Sequence, residues 1–311
     1  MNFDLSDDQV ALRDGIRALL EGKLPMERVR EGFNRDMWEV LASAGVFSLR
    51  ADGFGWADSA IVYEELGRAL IPGPLVWSFG CTVPTGGLHL MGSGPYLVEH
   101  LDKIDELHVL GQEGIRSIAA KQVSGVANDW PLDPLTPVWR VEELPAGDPF
   151  GEADASAELW YGGGVITAAY LVGMADALTT LAVDYAGQRK QFDRPIGSFQ
   201  AIKHICADMA VRVEVARAAT QAAACILDDP GSGNRERSVS GAKLLANEAG
   251  IANGRAATQV FGGMGFTWEV DVHLYLKRAW VLDTHFGSID HLADAVASTH
   301  VNLGSSASSH H

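Results

Sequence analysis

Little in this sequence points to a bound metal, a membrane or a nucleic acid. Only three cysteines occur, Cys81, Cys206 and Cys225. They show neither metal-ligand spacing nor a paired framework, and read as reduced thiols of a cytoplasmic protein. Basic residues are scarce: 24 Lys and Arg face 40 Asp and Glu, a net charge of −16. Nucleic acids and anionic bilayers both need a basic surface, so neither is expected as a partner. Met1-Asn2-Phe3-Asp4 has no basic segment leading into an apolar run, and no secretory signal is expected. The stretch from Leu70 to Val98 lacks every charged residue type. Pro72, Pro74, Pro84 and Pro95 would break a spanning helix several times, so it is not read as a membrane segment.

What is present divides into three regions and a tail. Residues 1–102 are expected to form an N-terminal helical domain. Ser6-Asp7-Asp8-Gln9 has the form of a capping box, and Leu12, Ile16, Leu19 and Leu20 then share one helix face. Trp38 to Val46 and Ser59 to Leu70 give two further helical patterns, the last ended by Pro72-Gly73-Pro74. Residues 103–155 are expected to form a small β domain, with strands near Glu106–Leu110, Ile115–Val123 and Pro137–Leu144.

Residues 156–304 return to helical periodicity. Glu158 to Gln188 lacks proline and is apolar on most sides, as for a helix inside a bundle. The run Phe199, Ile202, Cys206, Met209, Val213, Ala216, Thr220, Ala223 and Leu227 repeats every three to four residues, up to Pro230-Gly231. Val239 to Ala249 and Ile289 to Val296 supply two more helices of a four-helix bundle. Residues 305–311 read as a flexible polar tail. The fold class is α+β, mainly α.

Three motifs carry a resemblance. Tyr185-Ala186-Gly187-Gln188-Arg189-Lys190-Gln191-Phe192-Asp193-Arg194-Pro195-Ile196-Gly197-Ser198-Phe199-Gln200 is similar to the signature joining the first two bundle helices of acyl-CoA dehydrogenases. Gln259-Val260-Phe261-Gly262-Gly263-Met264-Gly265-Phe266 and Glu64-Glu65-Leu66-Gly67-Arg68-Ala69-Leu70 resemble two further stretches of that family, in its order. Each alone fits a structural role: a helix-end arginine, a glycine C-cap, a core phenylalanine. Jointly, the resemblance implies half of an FAD site shared across a subunit interface, formed by Arg189, Gln191, Phe192, Gln259, Gly262 and Gly263. The chemistry agrees: a planar guanidinium for pyrophosphate oxygen, an aromatic face for adenosine, and glycines that let backbone N–H groups approach phosphate.

The sequence departs from the family where the family does its chemistry. A glutamate takes the α-proton of the acyl-CoA thioester there, usually in a Tyr-Glu-Gly-Thr-like stretch. Here the stretch is His285-Phe286-Gly287-Ser288, and a phenyl ring at Phe286 accepts no proton. The family's alternative position falls near Gly163. Glu158, five residues away, is rotated by roughly 140° on a helix. No Thr-Glu-Pro-like flavin-ring strand occurs between Asp105 and Ala155.

The resemblance therefore implies a shortened subunit of an α2β2 acyl-CoA dehydrogenase, with a longer catalytic partner and an acyl-CoA substrate of the steroid-derived kind. Two other readings stand beside it. One is a self-sufficient enzyme with Asp283 as a relocated base; the other is a cofactor-free assembly subunit. Asp271 and Asp290 are further acids, expected to be helix-face or capping carboxylates, and His285 is left unassigned.

Overall fold

The computed structural model describes residues 5–89, 94–111 and 113–305. Residues 1–4 and 306–311, which include the N-terminal segment and most of the tail read from sequence, lie outside the described residues.

The N-terminal region opens with α1 (Asp7–Lys23), whose capping box is formed: Gln9 N–H donates to Ser6 Oγ, and Ser6 N–H to Gln9 Oε1. Then follow α2 (Met26–Val29), α3 (Arg35–Ser43) and α4 (Trp56–Arg68). The first N–H groups of α4 meet a carboxylate from far along the chain. Trp56 N–H donates to Asp228 Oδ1 at 2.7 Å and Ala57 N–H to Oδ2 at 3.0 Å. A negative charge there satisfies orphan donors and complements the helix dipole.

The strands begin earlier than the sequence suggests. β1 (Thr85–His89) and β2 (Tyr96–Glu99) both fall within the stretch 1–102 expected to be helical. With β3 (Glu106–Gly111), β4 (Gly114–Ala119), β5 (Val126–Ala127), β6 (Val138–Val141) and β7 (Asp148–Gly151) they form two small sheets, ordered β1-β3-β4-β7 and β2-β6-β5. Thr85-Gly86-Gly87-Leu88-His89 hides its strand character because two glycines have no side chain to show alternation. Packing explains Gly87: a Cβ there would lie 1.9 Å from the Trp77 indole, which rests directly on the strand. Val98, Leu107, Val109, Ile118 and Val141 give these sheets their own apolar core.

The bundle is built from α5 (Ala153–Gln188), a short hairpin β8 (Lys190–Gln191) and β9 (Arg194–Pro195), α6 (Gln200–Asp228), α7 (Arg235–Phe261), α8 (Val272–Leu282) and α9 (Ile289–Ser305). Helix α8 carries no expectation from sequence; it lies between the two final helices anticipated there. α5 is apolar and long enough by composition to cross a bilayer, but most of its apolar stretch is buried within the fold. It is a core helix packed by α4, α6 and α7.

The Glu64–Leu70 motif turns out to serve this packing. A Cβ on Gly67 would meet the Tyr170 carbonyl oxygen at 1.9 Å, and one on Gly173 the Glu64 carbonyl at 1.8 Å, so α4 and α5 cross backbone to backbone. Around that crossing Glu65 pairs with Arg17 at 2.6 Å, Glu64 with Arg217 at 2.8 Å, and Arg68 with Asp176. Asn253 pins the bundle centre by donating to Met209 O at 3.0 Å and Ala175 O at 3.3 Å.

Candidate functional site

The six residues expected to serve a nucleotide gather at one end of the bundle, and all six are exposed. Helix α5 ends at Arg189, whose backbone N–H still donates to Tyr185 O at 2.8 Å. Gln191 and Arg194 then pair across a two-residue hairpin turn, with Phe192 and Asp193 at φ of 52° and 63°. Two successive left-handed residues make the tight turn that suits twisted hairpins, at a cost for a bulky side chain. The result is a Phe192 ring 86% exposed at the hairpin tip. It is therefore not the core residue that its type would suggest.

The glycine turn lies beside this hairpin. Tyr185 of α5 stacks on Phe261 at the end of α7, ring centroids 4.1 Å apart, which joins the two motifs. Gly262 caps α7 with φ 61°, a conformation that penalises a Cβ. Its N–H donates to Gln259 O and Thr258 O, so that N–H is engaged by the helix cap rather than left for a phosphate. A Cβ on Gly262 or Gly263 would meet nothing within 4 Å, so the space beside the turn is open. An exposed guanidinium, an aromatic face, an amide and an open glycine turn fit the adenosine diphosphate end of a dinucleotide.

The other end of α5 is closed. A Cβ on Gly163 would lie 2.2 Å from Phe286 Cε1, so the phenyl ring sits directly on the bare helix backbone. The two positions that the resemblance offers for a base thus converge on one point, and aromatic carbon fills it. Phe286 is 4% exposed and has φ 54°, with Trp77 4.6 Å and Trp160 5.8 Å from its ring. A carboxylate could not be ionised there without a partner.

Beside Phe286 lies a cavity of about 500 Å³ between the sheets, the first turns of α5 and the segment from Trp280 to Ser288. Asp283 is absent from its lining. One Asp283 oxygen is buried without a partner, and burial pushes the carboxyl up against the attraction of Lys243. Asp271 is paired with Arg30 at 2.6 Å, while Glu158 and Asp290 are exposed.

Three polar groupings near the cavity had no signal in the sequence. His285 Nε2 meets Glu99 Oε1 at 2.9 Å across 186 residues. Burial works against the Glu99 carboxylate, yet attraction to His285 and their hydrogen bond hold its pKa down at about 2. Arg278 and Asp133 form a buried ion pair, with Arg278 also donating to Tyr170 Oη at 3.3 Å. Lys243, fully buried, donates to Asn247 Oδ1 at 2.7 Å and to Leu282 O at 2.9 Å, closing the carbonyl end of α8 just before Phe286. Burial lowers its pKa to about 7, with Asp283 opposing. Apart from the i,i+4 pair Lys243–Asn247, their contacts have no local pattern, because they are assembled by chain crossings.

Comparison with known proteins agrees with this arrangement. Residues 162–299 match the profile of the acyl-CoA dehydrogenase C-terminal domain. The acyl-CoA dehydrogenase IpdE2 of Mycobacterium tuberculosis is 33% identical over 278 residues, 80% of this chain and 81% of the relative. A chain of the ChsE4-ChsE5 complex from Mycobacterium tuberculosis superposes with a TM-score of 0.83 at 22% identity, covering 97% of this chain and 99% of the other. A Tcur3481-Tcur3483 steroid ACAD variant superposes at 0.80 and 18%, covering 96% and 99%. The order of motifs, the fold and the relatives coincide: the chain belongs to the acyl-CoA dehydrogenase family.

Proposed function

We propose that this chain is the cofactor-completing subunit of a heteromeric, FAD-dependent acyl-CoA dehydrogenase, paired as α2β2 with a longer catalytic subunit. One observation carries the reading: the nucleotide-type groups face outward at the Arg189 end of α5, while Phe286 seals the Gly163 end. At 1.5 Å per residue those ends are roughly 40 Å apart along the helix. The outward groups therefore serve a neighbour's cofactor rather than this chain's own cavity. The heteromeric ChsE4-ChsE5 relative and the steroid Tcur3481-Tcur3483 relative support a partner subunit and a steroid-derived CoA thioester as substrate class.

FAD, when bound, supplies the electron acceptor for α,β-dehydrogenation of the thioester. This chain's contribution is to hold the nucleotide end. Arg189 sets a permanent planar charge against pyrophosphate oxygen, Gln191 and Gln259 add side-chain donors, and Phe192 covers the adenine face. Gly262 and Gly263 keep the approach clear of side chains. The proton-accepting glutamate belongs to the partner, and the isolated chain is inactive.

Co-expression tests this. Flavin absorbance is expected in the complex with a longer family partner and absent from the chain purified alone. Full flavin occupancy of the isolated chain, with acyl-CoA-dependent dye reduction, would overturn the assignment.

A further inference from the structure

Helix α8 ends in a buried polar knot that plays no part in the outward half-site. Lys243 of α7 is 0% exposed, and its Nζ donates to Asn247 Oδ1 at 2.7 Å, Leu282 O at 2.9 Å and Asp283 O at 3.4 Å. An ammonium has three hydrogens, so each of these oxygens can be met. Asn247 Nδ2 reaches Asp283 O as well, at 3.3 Å. Neighbouring turns of α7 thus grip the last carbonyls of α8, the point from which the chain leaves for Phe286.

The segment beyond that grip is not relaxed. Phe286 and Gly287 have φ of 54° and 118°, and a phenylalanine is disfavoured there by its Cβ. Thr284 and His285 prolong α8 only through N–H bonds of 3.4 Å to Val281 O and 3.2 Å to Leu282 O. A strained segment of this kind persists only where its surroundings hold it.

We infer that Lys243 is a proton-sensitive catch: its buried amine keeps the turn from Asp283 to Ser288 closed, and proton uptake lets that turn open while the bundle stays folded. Few charges compete for the amine. Asp283 attracts it across the end of α8. On the α5 side, Gly164 lies against Val239 and Leu171 against Gly250, apolar contacts on either side of Lys243. From α6, Arg212 is turned to Asn253; from α8, Arg278 is turned to Asp133. Asp290, His291 and Asp294 of α9 are exposed, and His285 is engaged with Glu99.

The direction follows from burial. It lowers the Lys243 pKa from the ordinary 10.5 to about 7, with Asp283 opposing. Opening hydrates the amine and restores its affinity for a proton, so closure strengthens as pH rises above about 7 and is weakest below it.

Hydrogen exchange of the Thr284 and His285 amides in the full chain tests the catch, each rate divided by the intrinsic rate at that pH. Opening is expected to be about tenfold more frequent at pH 6 than at pH 8, the ratio that linkage gives for that lowered pKa. At both pH values these amides should exchange at least about tenfold faster than those in the middle of α7, which marks local opening rather than unfolding. Lys243→Met should remove the pH ratio. Asn247→Asp sets a carboxylate against the amine, keeps the proton in place at both pH values, and should remove the ratio too. Equal opening at pH 6 and pH 8 in the wild-type chain would overturn the inference, as would an undiminished ratio in either folded variant.

Discussion

The two ends of α5 were built under opposite constraints. At the Gly163 end packing fixes the close approaches: Phe286 lies on bare backbone, Trp77 lies on Gly87, and Lys243 closes the carbonyls just before the turn. At the Arg189 end little is buried, and Phe192 stands out at 86% exposure on a hairpin whose backbone disfavours it. Burial explains the aromatic contacts at the first end. It does not explain the second, where an exposed aromatic beside an exposed arginine and glycine turn is the surface that the proposed function assigns to a partner's cofactor. A substitution at the inner end should therefore disturb stability, and one at the outer end should disturb only what binds there.

The largest effect is expected at Arg278. Arg278→Ala leaves the fully buried Asp133 without its countercharge and should cost on the order of 3–5 kcal/mol in chemical denaturation. A cost below about 1 kcal/mol would show that the inner end is held by something else.

Acid should loosen the same end. His100 is fully buried with both ring nitrogens unpartnered, and burial lowers its pKa to about 4. The unfolded chain takes up that proton first, near pH 6.5, so stability present at pH 7 is lost as pH falls from about 6.5 toward 4. The loss is on the order of 3 kcal/mol. His100→Leu should flatten that part of the stability–pH curve; an unchanged slope would remove His100 from the account.

A smaller effect with a diagnostic sign is expected at Gly163. Gly163→Ala gains about 1 kcal/mol of helix propensity but forces the Phe286 ring away, for a net loss of about 1–2 kcal/mol. In a Phe286→Ala background the same change should become neutral or stabilising. A stabilising Gly163→Ala in the wild-type chain would mean the ring is not seated there. The smallest effect belongs to the outer end: Phe192→Ala should change the stability of the isolated chain by no more than about 0.5 kcal/mol.

The same contrast explains what could be read from sequence. The outer end was legible because its groups are contiguous in two motifs, and local spacing survives folding as local geometry. The long periodic helices were legible for the same reason. What sequence did not reveal was that Gly163 and Phe286 are one place, or that Glu99 meets His285 across 186 residues. Strands β1 and β2 were hidden by glycines whose bareness is required by a tryptophan from elsewhere, and α8 by its position between two stronger patterns. Gly262 was half read: its turn is present, but its N–H is engaged by the helix cap.

The most direct test of the division between the two ends is the flavin content of the complex co-expressed with a longer family partner, comparing Arg189→Ala with wild type. Flavin retention should drop at least tenfold through dialysis, with assembly and the melting temperature of the isolated variant unchanged. Undiminished flavin in an intact Arg189→Ala complex would contradict the claim that this end of the helix holds a neighbour's nucleotide.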